Sequence, residues 1–301
     1  MFPALTNAVR TLLIAGVITV VAHLGSLMQL AEGNMRGYDI LSGREPTPGT
    51  TWLLVGSDAR WGQEGARSDV IMLLHQPEDG ATSLVSIPRF ASVQIPGIGL
   101  TRIMHSFEWG GAPLLVRTVE NLTGLTIDRY LEIEMTGMHD VINALGGVNL
   151  CLDQDVNDQG RSYLQWAAGC HLADGATTIA FARFRDSETY DDVDRSARHR
   201  QILSAAANRI ASPAYLANPY LHRHLVKSTM AGIRVDNSMQ LADFARLALA
   251  FRDASGPQGF TGYPPTTEAR DLGIGYIIEF EPAAIDQFWA GVRYGNLGLT
   301  Q

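Results

Sequence analysis

Short apolar runs and longer amphipathic runs alternate along the chain after residue 50. Five segments have the pattern of β-strands: 51–56, 69–75, 81–87, 130–133 and 276–280. Five segments show the apolar stripes or start signals of helices: 113–122, 138–145, 194–210, 239–254 and a last one from residue 282. Strands that alternate with helices predict an α/β domain with helices on both faces of a central sheet.

The N-terminal segment differs from the rest of the chain. No Asp, Glu, Lys or Arg occurs in residues 11–31, and this length matches a helix that crosses a bilayer with about 20 residues. We therefore predict a single transmembrane anchor over 11–31, preceded by a short cytoplasmic N-terminus over 1–10. A linker over 32–50 and one extracytoplasmic domain over 51–301 follow. A cleaved signal peptide and a buried core helix are the alternatives; Gln29 fits poorly before a cut after residue 31.

Composition and charge narrow the class of protein. The 301 residues are 46% hydrophobic and 18% charged, which is typical of a globular chain rather than a disordered one. The net charge of −8 argues against broad binding to nucleic acid. Cys151 and Cys170 are the two cysteines. In an exported domain they predict one disulfide, with two buried free thiols as the alternative.

Charged side chains stand where three of the predicted strands begin or end. Asp58 follows the first strand, Arg67 and Asp69 precede or open the second, and Arg89 follows the third. Two carboxylates at the ends of adjacent strands can hold Mg²⁺, which keeps part of its shell for water and phosphate. The alternative is an ordinary surface ion pair, which contributes little to stability.

A second group of cations lies further along the chain. Arg183 and Arg185 point to one side if their segment is extended, and Arg195, Arg198 and His199 share a face of the next helix near its N-terminus. Several guanidinium groups that converge on one site would bind a pyrophosphate. A solvated charged face is the alternative.

An apolar stretch separates these two groups of charges. Residues 104–114 contain Met104, Trp109 and Leu114, which could line a pocket for a hydrophobic ligand. An ordinary amphipathic helix would show the same pattern, so core packing is the alternative.

Several motifs occur in a fixed order between residues 51 and 210. They are Leu-Leu-Val-Gly-Ser-Asp-Ala-Arg (53–60), Arg-Ser-Asp (67–69), Ser-Ile-Pro-Arg (86–89), the Gly-Gly-Ala-Pro segment (110–124), Ile-Asp-Arg-Tyr (127–130), Ala-Leu-Gly-Gly-Val (144–148), Ala-Gly-Cys-His-Leu-Ala-Asp-Gly (168–175), Ala-Arg-Phe-Arg (182–185) and Asp-x-x-Arg-x-x-Arg (192–198). Together they resemble the LytR-CpsA-Psr family of cell-wall ligases. In actinobacterial members, positions like those of the two cysteines look paired.

The resemblance implies a membrane-anchored phosphotransferase with a central mixed β-sheet. Such an enzyme moves a glycopolymer from a polyprenyl-pyrophosphate carrier to a peptidoglycan hydroxyl and releases polyprenyl phosphate, with Mg²⁺ (or Mn²⁺) as cofactor. By position, Asp58 and Asp69 are the expected metal ligands. The expected catalytic residues are Asp58, Arg67, Asp69, Arg89 and Asp192. The expected pyrophosphate-binding residues are Arg67, Arg89, Arg183, Arg185, Arg195, Arg198 and His199.

Three positions depart from the family's pattern. Phe90 stands where the family usually has Asp, Met104 ends a segment that is normally Lys-Ile-Asn, and His199 stands where the family commonly has Gln. We expect Asp192 or Asp194 to replace the missing carboxylate, and His199 to donate to phosphate. Two alternatives to the ligase follow: a catalytically weakened protein that binds polyprenyl pyrophosphates or assists a related ligase, and a pyrophosphatase that uses water as the acceptor. The sequence shows no helix-turn-helix signal of a transcriptional regulator.

Overall fold

A computed structural model describes residues 19, 22–57, 68–160, 162–184, 192–210, 212–267, 270–271 and 276–297. Residues 22–32 form a helix, α1, whose end packs Ala31 against Met230. Within the described ranges, no helix has the length and apolar character needed to cross a membrane. The predicted anchor over 11–31 lies partly outside these ranges and stays a prediction.

Seven strands form one central sheet. In spatial order they are β1 (Gly37–Tyr38), β12 (Ile233–Asp236), β7 (Arg129–Glu134), β2 (Thr50–Ser57), β3 (Ser68–Gln76), β4 (Ser83–Ser86) and β13 (Phe260–Gly262). β2 pairs antiparallel with β3 and parallel with β7, so the sheet is mixed, as expected. The ends of β2 and β7 and the start of β3 consequently meet at one edge.

Helices cover both faces of this sheet. They are α2 (Met104–Thr123), α3 (Met135–Ala144), α4 (Gly175–Arg183), α5 (Asp192–Ile210), α6 (Pro213–Leu216), α7 (Pro219–Gly232), α8 (Leu241–Ala254) and α9 (Ile285–Arg293). Leu73 of β3 packs with α2 and α9, whereas its neighbour Leu74 packs with α8. Because successive side chains of a strand point to opposite faces, this alternation places a core on each side of β3.

The described residues form four further strand pairs outside the sheet. They are β5 (Ser92–Ile95) with β6 (Gly99–Arg102), β8 (Val148–Leu152) with β11 (Gly169–Ala173), β9 (Val156–Asn157) with β10 (Gln165–Trp166), and β14 (Arg270–Asp271) with β15 (Tyr276–Ile277). Cys151 and Cys170 face each other across β8 and β11 and form the predicted disulfide. β11 leads directly into α4, whose first turn is capped by the side chain of Asp174.

Several helix boundaries differ from the prediction. α2 begins at Met104 rather than near Pro113, because Gly111, at φ 62°, joins two helical segments across a kink. Gly124 ends α2 in the left-handed conformation. α3 begins at Met135 rather than at Met138, with Glu134 as its N-cap, since the strand β7 runs directly into the helix.

The apolar positions of α2 and α5 are buried to different extents. Leu114 lies in the main core beside the sheet, Met104 is 6% exposed and Trp109 is 54% exposed, so core packing, the alternative to a pocket, accounts for Met104 and Leu114. Ile210, the last residue of α5, is 40% exposed.

Candidate active site

A cavity of about 460 Å³ opens at the sheet edge where β2 and β7 end and β3 begins. Ser57 and Glu134 stand side by side at the ends of two parallel strands, and Asp69 lies near the start of β3. Helices α3, α4 and α5 close the other side. The lining residues are Gly56, Ser57, Asp69, Val70, Arg89, Ile133, Glu134, Met135, Met138, Ile179, Ala182, Arg183 and His199.

An ion pair between Asp69 and Arg89 occupies the strand side of the cavity. The Arg89 side chain is only 11% exposed, and its Cζ lies 4.3 Å from the centroid of the Phe90 ring. Arg102 approaches the same ring at 5.9 Å. Asp69 and the ring of Phe90 thus orient Arg89, although position 90 itself carries no carboxylate.

Arg183 and His199 reach the cavity from the helices. Arg183 is the last residue of α4, and its Nη2 donates to Sδ of Met135 at 2.9 Å. The condition that the segment of Arg183 is extended is therefore not met, because α4 continues through this residue. His199 lies on α5, which Arg200 fixes to the sheet by donating to Oγ of Ser86 at 3.2 Å.

The helix side of the cavity is apolar. Met135 and Met138 come from α3, and Ile179 and Ala182 from α4, one turn apart on the face that meets α3. The close approach of α3 to the end of α7 fixes its position: a Cβ on Gly137 would lie 2.4 Å from the carbonyl oxygen of Gly232. The cavity therefore combines charged groups on one side with an apolar surface on the other.

Two buried glutamates on β7 are absent from the predicted site. Glu132 and Glu134 are 1% and 2% exposed, whereas the usual alternation would put Leu131 and Ile133 inside and the glutamates in water. Burial raises the pKa of Glu134 above its ordinary value, and Arg234 offsets part of that rise. Tyr130 was the signal in the sequence that could have revealed them, because this aromatic residue lies on the same face of the strand as both glutamates. In the structure Tyr130 is fully buried.

Four predicted residues therefore share the cavity: Asp69, Arg89, Arg183 and His199. Asp58, Arg67 and Arg185 lie outside the described residues. Asp192 and Arg195 belong to α5, but their side chains are not described. In the described part of the chain, no group of three or more Asp, Glu, His or Cys side chains could hold a metal ion.

Arg198 occupies a second cavity, of about 500 Å³, beside the disulfide. Its Nη2 donates to the carbonyl oxygen of Phe184 at 2.8 Å, and the residue is 9% exposed. The expectation that Arg198 and His199 share one face toward a single ligand is therefore wrong. Adjacent residues of a helix point about 100° apart, and here they line different cavities.

The family comparison agrees with this architecture. The model of the LytR_cpsA_psr family matches residues 27–254, which include six of the seven strands of the sheet, all but β13, and every described residue of the first cavity. The chain belongs to this family.

Two curated LytR-CpsA-Psr relatives illustrate the range of similarity. A probable cell wall biosynthesis protein, LcpB of Corynebacterium glutamicum, is 33% identical over 297 residues, 93% of this chain and 70% of that protein. TagU of Oceanobacillus iheyensis, a polyisoprenyl-teichoic acid–peptidoglycan teichoic acid transferase, is 34% identical over 166 residues. That match covers 53% of this chain and 51% of TagU, so the chain spans about half the length of such transferases.

Solved structures of the family share the fold. TagT bound to LI-WTA superposes with a TM-score of 0.66 at 22% identity, and the match covers 87% of this chain and 98% of TagT. A LytR-Csp2A-Psr enzyme from Actinomyces oris has a TM-score of 0.66 at 23% identity and covers 87% and 96% of the two chains. At these identities the comparison establishes the mixed α/β architecture.

Proposed function

We propose that this chain transfers a glycopolymer from a polyprenyl-pyrophosphate carrier to a hydroxyl of peptidoglycan. One observation carries the proposal: a single cavity joins the guanidinium groups of Arg89 and Arg183 to an apolar wall. A diphosphate with an attached hydrocarbon chain has that combination of chemistry. Membership of a family whose relatives are named as cell-wall proteins and teichoic acid transferases supports the choice of donor and acceptor.

The residues divide the work as follows. Arg89 and Arg183 neutralise the diphosphate, and His199 donates to one of its oxygens. Met138 and Ile179 hold the first part of the prenyl chain away from water. The acceptor hydroxyl attacks the phosphorus nearest the glycan, the bridging P–O bond breaks, and polyprenyl phosphate leaves with the bonding electrons. Catalysis of this kind depends on positioning and on charge neutralisation.

Mg²⁺ fits the chemistry of this site as a proposal. The ion commonly uses one or two carboxylates and takes its remaining ligands from water and substrate phosphate, and Asp69 supplies one such carboxylate in the cavity. Asp58, the second expected ligand, lies outside the described residues. Bound Mg²⁺ would neutralise charge that develops on the diphosphate during transfer.

We further propose that the domain works outside the cytoplasmic membrane. The Cys151–Cys170 disulfide is typical of an oxidising compartment, which supports export. The apolar segment over 11–31 would hold the enzyme at the membrane as a single-pass anchor, with residues 1–10 inside. This position would bring the cavity close to prenyl carriers in the bilayer.

A second candidate function is that of a binding protein with little transfer activity. The observation that favours it is Phe90, which stands where the family resemblance implies a carboxylate beside Arg89. Such a protein would bind the prenyl pyrophosphate through the same cavity but would not complete the transfer.

One assay separates the candidates. The full-length chain in detergent is incubated with a synthetic prenyl-pyrophosphate-linked disaccharide, peptidoglycan fragments and Mg²⁺, and the products are followed by mass spectrometry. Glycosylated peptidoglycan and prenyl phosphate are the expected products. Donor binding without transfer would support the binding protein, and free phosphorylated disaccharide formed without an acceptor would support a pyrophosphatase.

A further inference from the structure

Glu134 is a buried carboxylate in the wall of the cavity. It ends β7 beside Ser57, begins α3, and is 2% exposed. Its side chain makes no capping hydrogen bond to the helix that follows, although the N-cap position normally favours one. The carboxylate thus does not cap the helix, and the residue lines the cavity.

The partners of Glu134 differ from those of its neighbour Glu132. Both oxygens of Glu132 accept hydrogen bonds, from Oγ of Ser57 at 2.6 Å and from the hydroxyl of Tyr130 at 3.1 Å. Among the residues that the structure describes, Glu134 has one ion-pair partner, Nη2 of Arg234, 3.2 Å from its Oε1. A carboxylate can accept about four hydrogen bonds, so Glu134 keeps capacity for another donor.

The position of this carboxylate in the cavity indicates which part of the proposed reactants it would contact. A negative group in the wall would repel a diphosphate, but it would accept a hydrogen bond from a hydroxyl. Two described carboxylates line the cavity, and each pairs with an arginine: Asp69 with Arg89, which also lines the cavity, and Glu134 with Arg234, which is not among the lining residues. Asp69 is in addition an expected metal ligand, so Glu134 is the described carboxylate best placed to receive a proton, and position 90 offers none.

We propose that Glu134 is the general base of the transfer reaction, an inference that rests on the proposed function. The acceptor hydroxyl donates a hydrogen bond to the Glu134 carboxylate. As its oxygen forms the new bond to phosphorus, the proton moves to Glu134 and the bridging P–O bond breaks. The electron pair leaves on polyprenyl phosphate, and protonated Glu134 later returns its proton to water.

The surroundings of Glu134 favour this role. Burial brings the pKa of Glu134 upward, toward the pH at which a general base works best. The positive charge of Arg234 on β12 opposes this rise in pKa, because it favours the ionised form of the carboxylate. Among the described residues, the other titratable or charged groups that face this region are Glu132 on β7, Asp69 on β3, Arg89, Arg183 on α4 and His199 on α5.

The test compares two isosteric substitutions on one strand. Glu134→Gln is expected to lower kcat for transfer by about 10²- to 10⁴-fold, the usual contribution of a general base. Affinity for the same prenyl-pyrophosphate-linked disaccharide should stay within about threefold, because binding does not need the base. Glu132→Gln, which changes a buried carboxylate outside the cavity, is the matched control and should retain most of the activity of the stably folded enzyme.

A pH profile supplies a readout that a structural role would not change. In the wild-type enzyme, kcat/KM should fall on the acid side with a midpoint above about pH 4.3, the ordinary pKa of glutamate, because the base must be ionised. Glu134→Gln should remove that limb. Glu134→Asp keeps a carboxylate one methylene further back and should retain the limb at a reduced rate.

The outcomes separate two failures. If the wild-type enzyme is active and Glu134→Gln transfers the glycan at the same rate with the same pH profile, the role of Glu134 is overturned and the proposed function stays intact. If Glu134→Gln does not fold, a wild-type profile without an acid limb above pH about 4.3 would overturn it instead. A wild-type enzyme that binds the donor but transfers nothing would overturn the proposed function and this inference together.

Discussion

The two walls of the cavity are built by different parts of the fold. The polar wall lies on strand ends: Ser57 on β2, Asp69 on β3 and Glu134 on β7, with Arg89 paired to Asp69. The apolar wall lies on α3 and α4, where methionine and isoleucine side chains predominate. Strands fixed in a sheet hold charges at defined positions, whereas flexible methionines adapt to an irregular hydrocarbon chain. We infer that the polar wall determines the chemistry and the apolar wall the choice of carrier.

Removing a guanidinium group from the cavity should have the largest effect. Arg89→Ala or Arg183→Ala should lower kcat by about 10²- to 10³-fold, by analogy with the loss of one donor that stabilises a developing charge. Arg252→Ala, which removes an exposed arginine on α8, is the control and should act like wild type. Losses of less than about threefold for both cavity variants would show that the polar wall does not handle the diphosphate.

Removal of the disulfide tests how the apolar wall of the cavity is supported. It joins β8 to β11, the strand that leads into α4 and therefore into Ile179 and Arg183. The double variant Cys151→Ser/Cys170→Ser should lose about 2–4 kcal/mol of unfolding free energy. Urea denaturation of oxidised wild type and variant measures the difference, and an unchanged midpoint with an unchanged slope would contradict this assignment.

A charge in the apolar wall should weaken binding of the carrier selectively. Ile179→Asp should raise the dissociation constant of a long-chain prenyl pyrophosphate by about tenfold or more, because a carboxylate replaces apolar contact surface. Binding of inorganic pyrophosphate should change much less, and Ile179→Leu is the volume-matched control. Equal weakening of both ligands would mean that this wall does not contact the hydrocarbon chain.

The smallest effect is expected at Phe90. Its ring lies against the guanidinium group of Arg89, a contact worth about 0.5–1 kcal/mol at a partly exposed site. Phe90→Leu should therefore lower kcat/KM by about two- to fivefold, and Phe90→Tyr should leave it near wild type. If Phe90→Asp instead raises kcat/KM by a larger factor than Phe90→Leu lowers it, the result would favour the second candidate, a binding protein with weakened transfer activity.

The strand side of this site was predictable from sequence, and the reason is local. Asp69 and Arg89 stand next to short apolar runs that could only be buried strands, so their place at one sheet edge followed from pairing. The family motifs pointed to the same residues. Glu134 was missed because a rule of alternation assigns acidic residues to water, and a buried functional carboxylate breaks that rule.

The helix side was less predictable because it depends on tertiary packing. The motif around Arg183 has an alternation that suits an extended segment, yet the residue ends α4, which packs against α3. The direction of Arg198 depends on a hydrogen bond to Phe184, which no spacing along the chain reveals. The seven-stranded order likewise requires β12 to insert between β1 and β7, and its four residues carry no distinctive pattern.

A crystal structure of the full-length chain with a prenyl pyrophosphate and Mg²⁺ would test the central claim most directly. We predict the diphosphate between Arg89 and Arg183 and the prenyl chain along Met138 and Ile179. Density for the diphosphate in the second cavity, beside Arg198 and the disulfide, or no ordered ligand at the sheet edge, would contradict it.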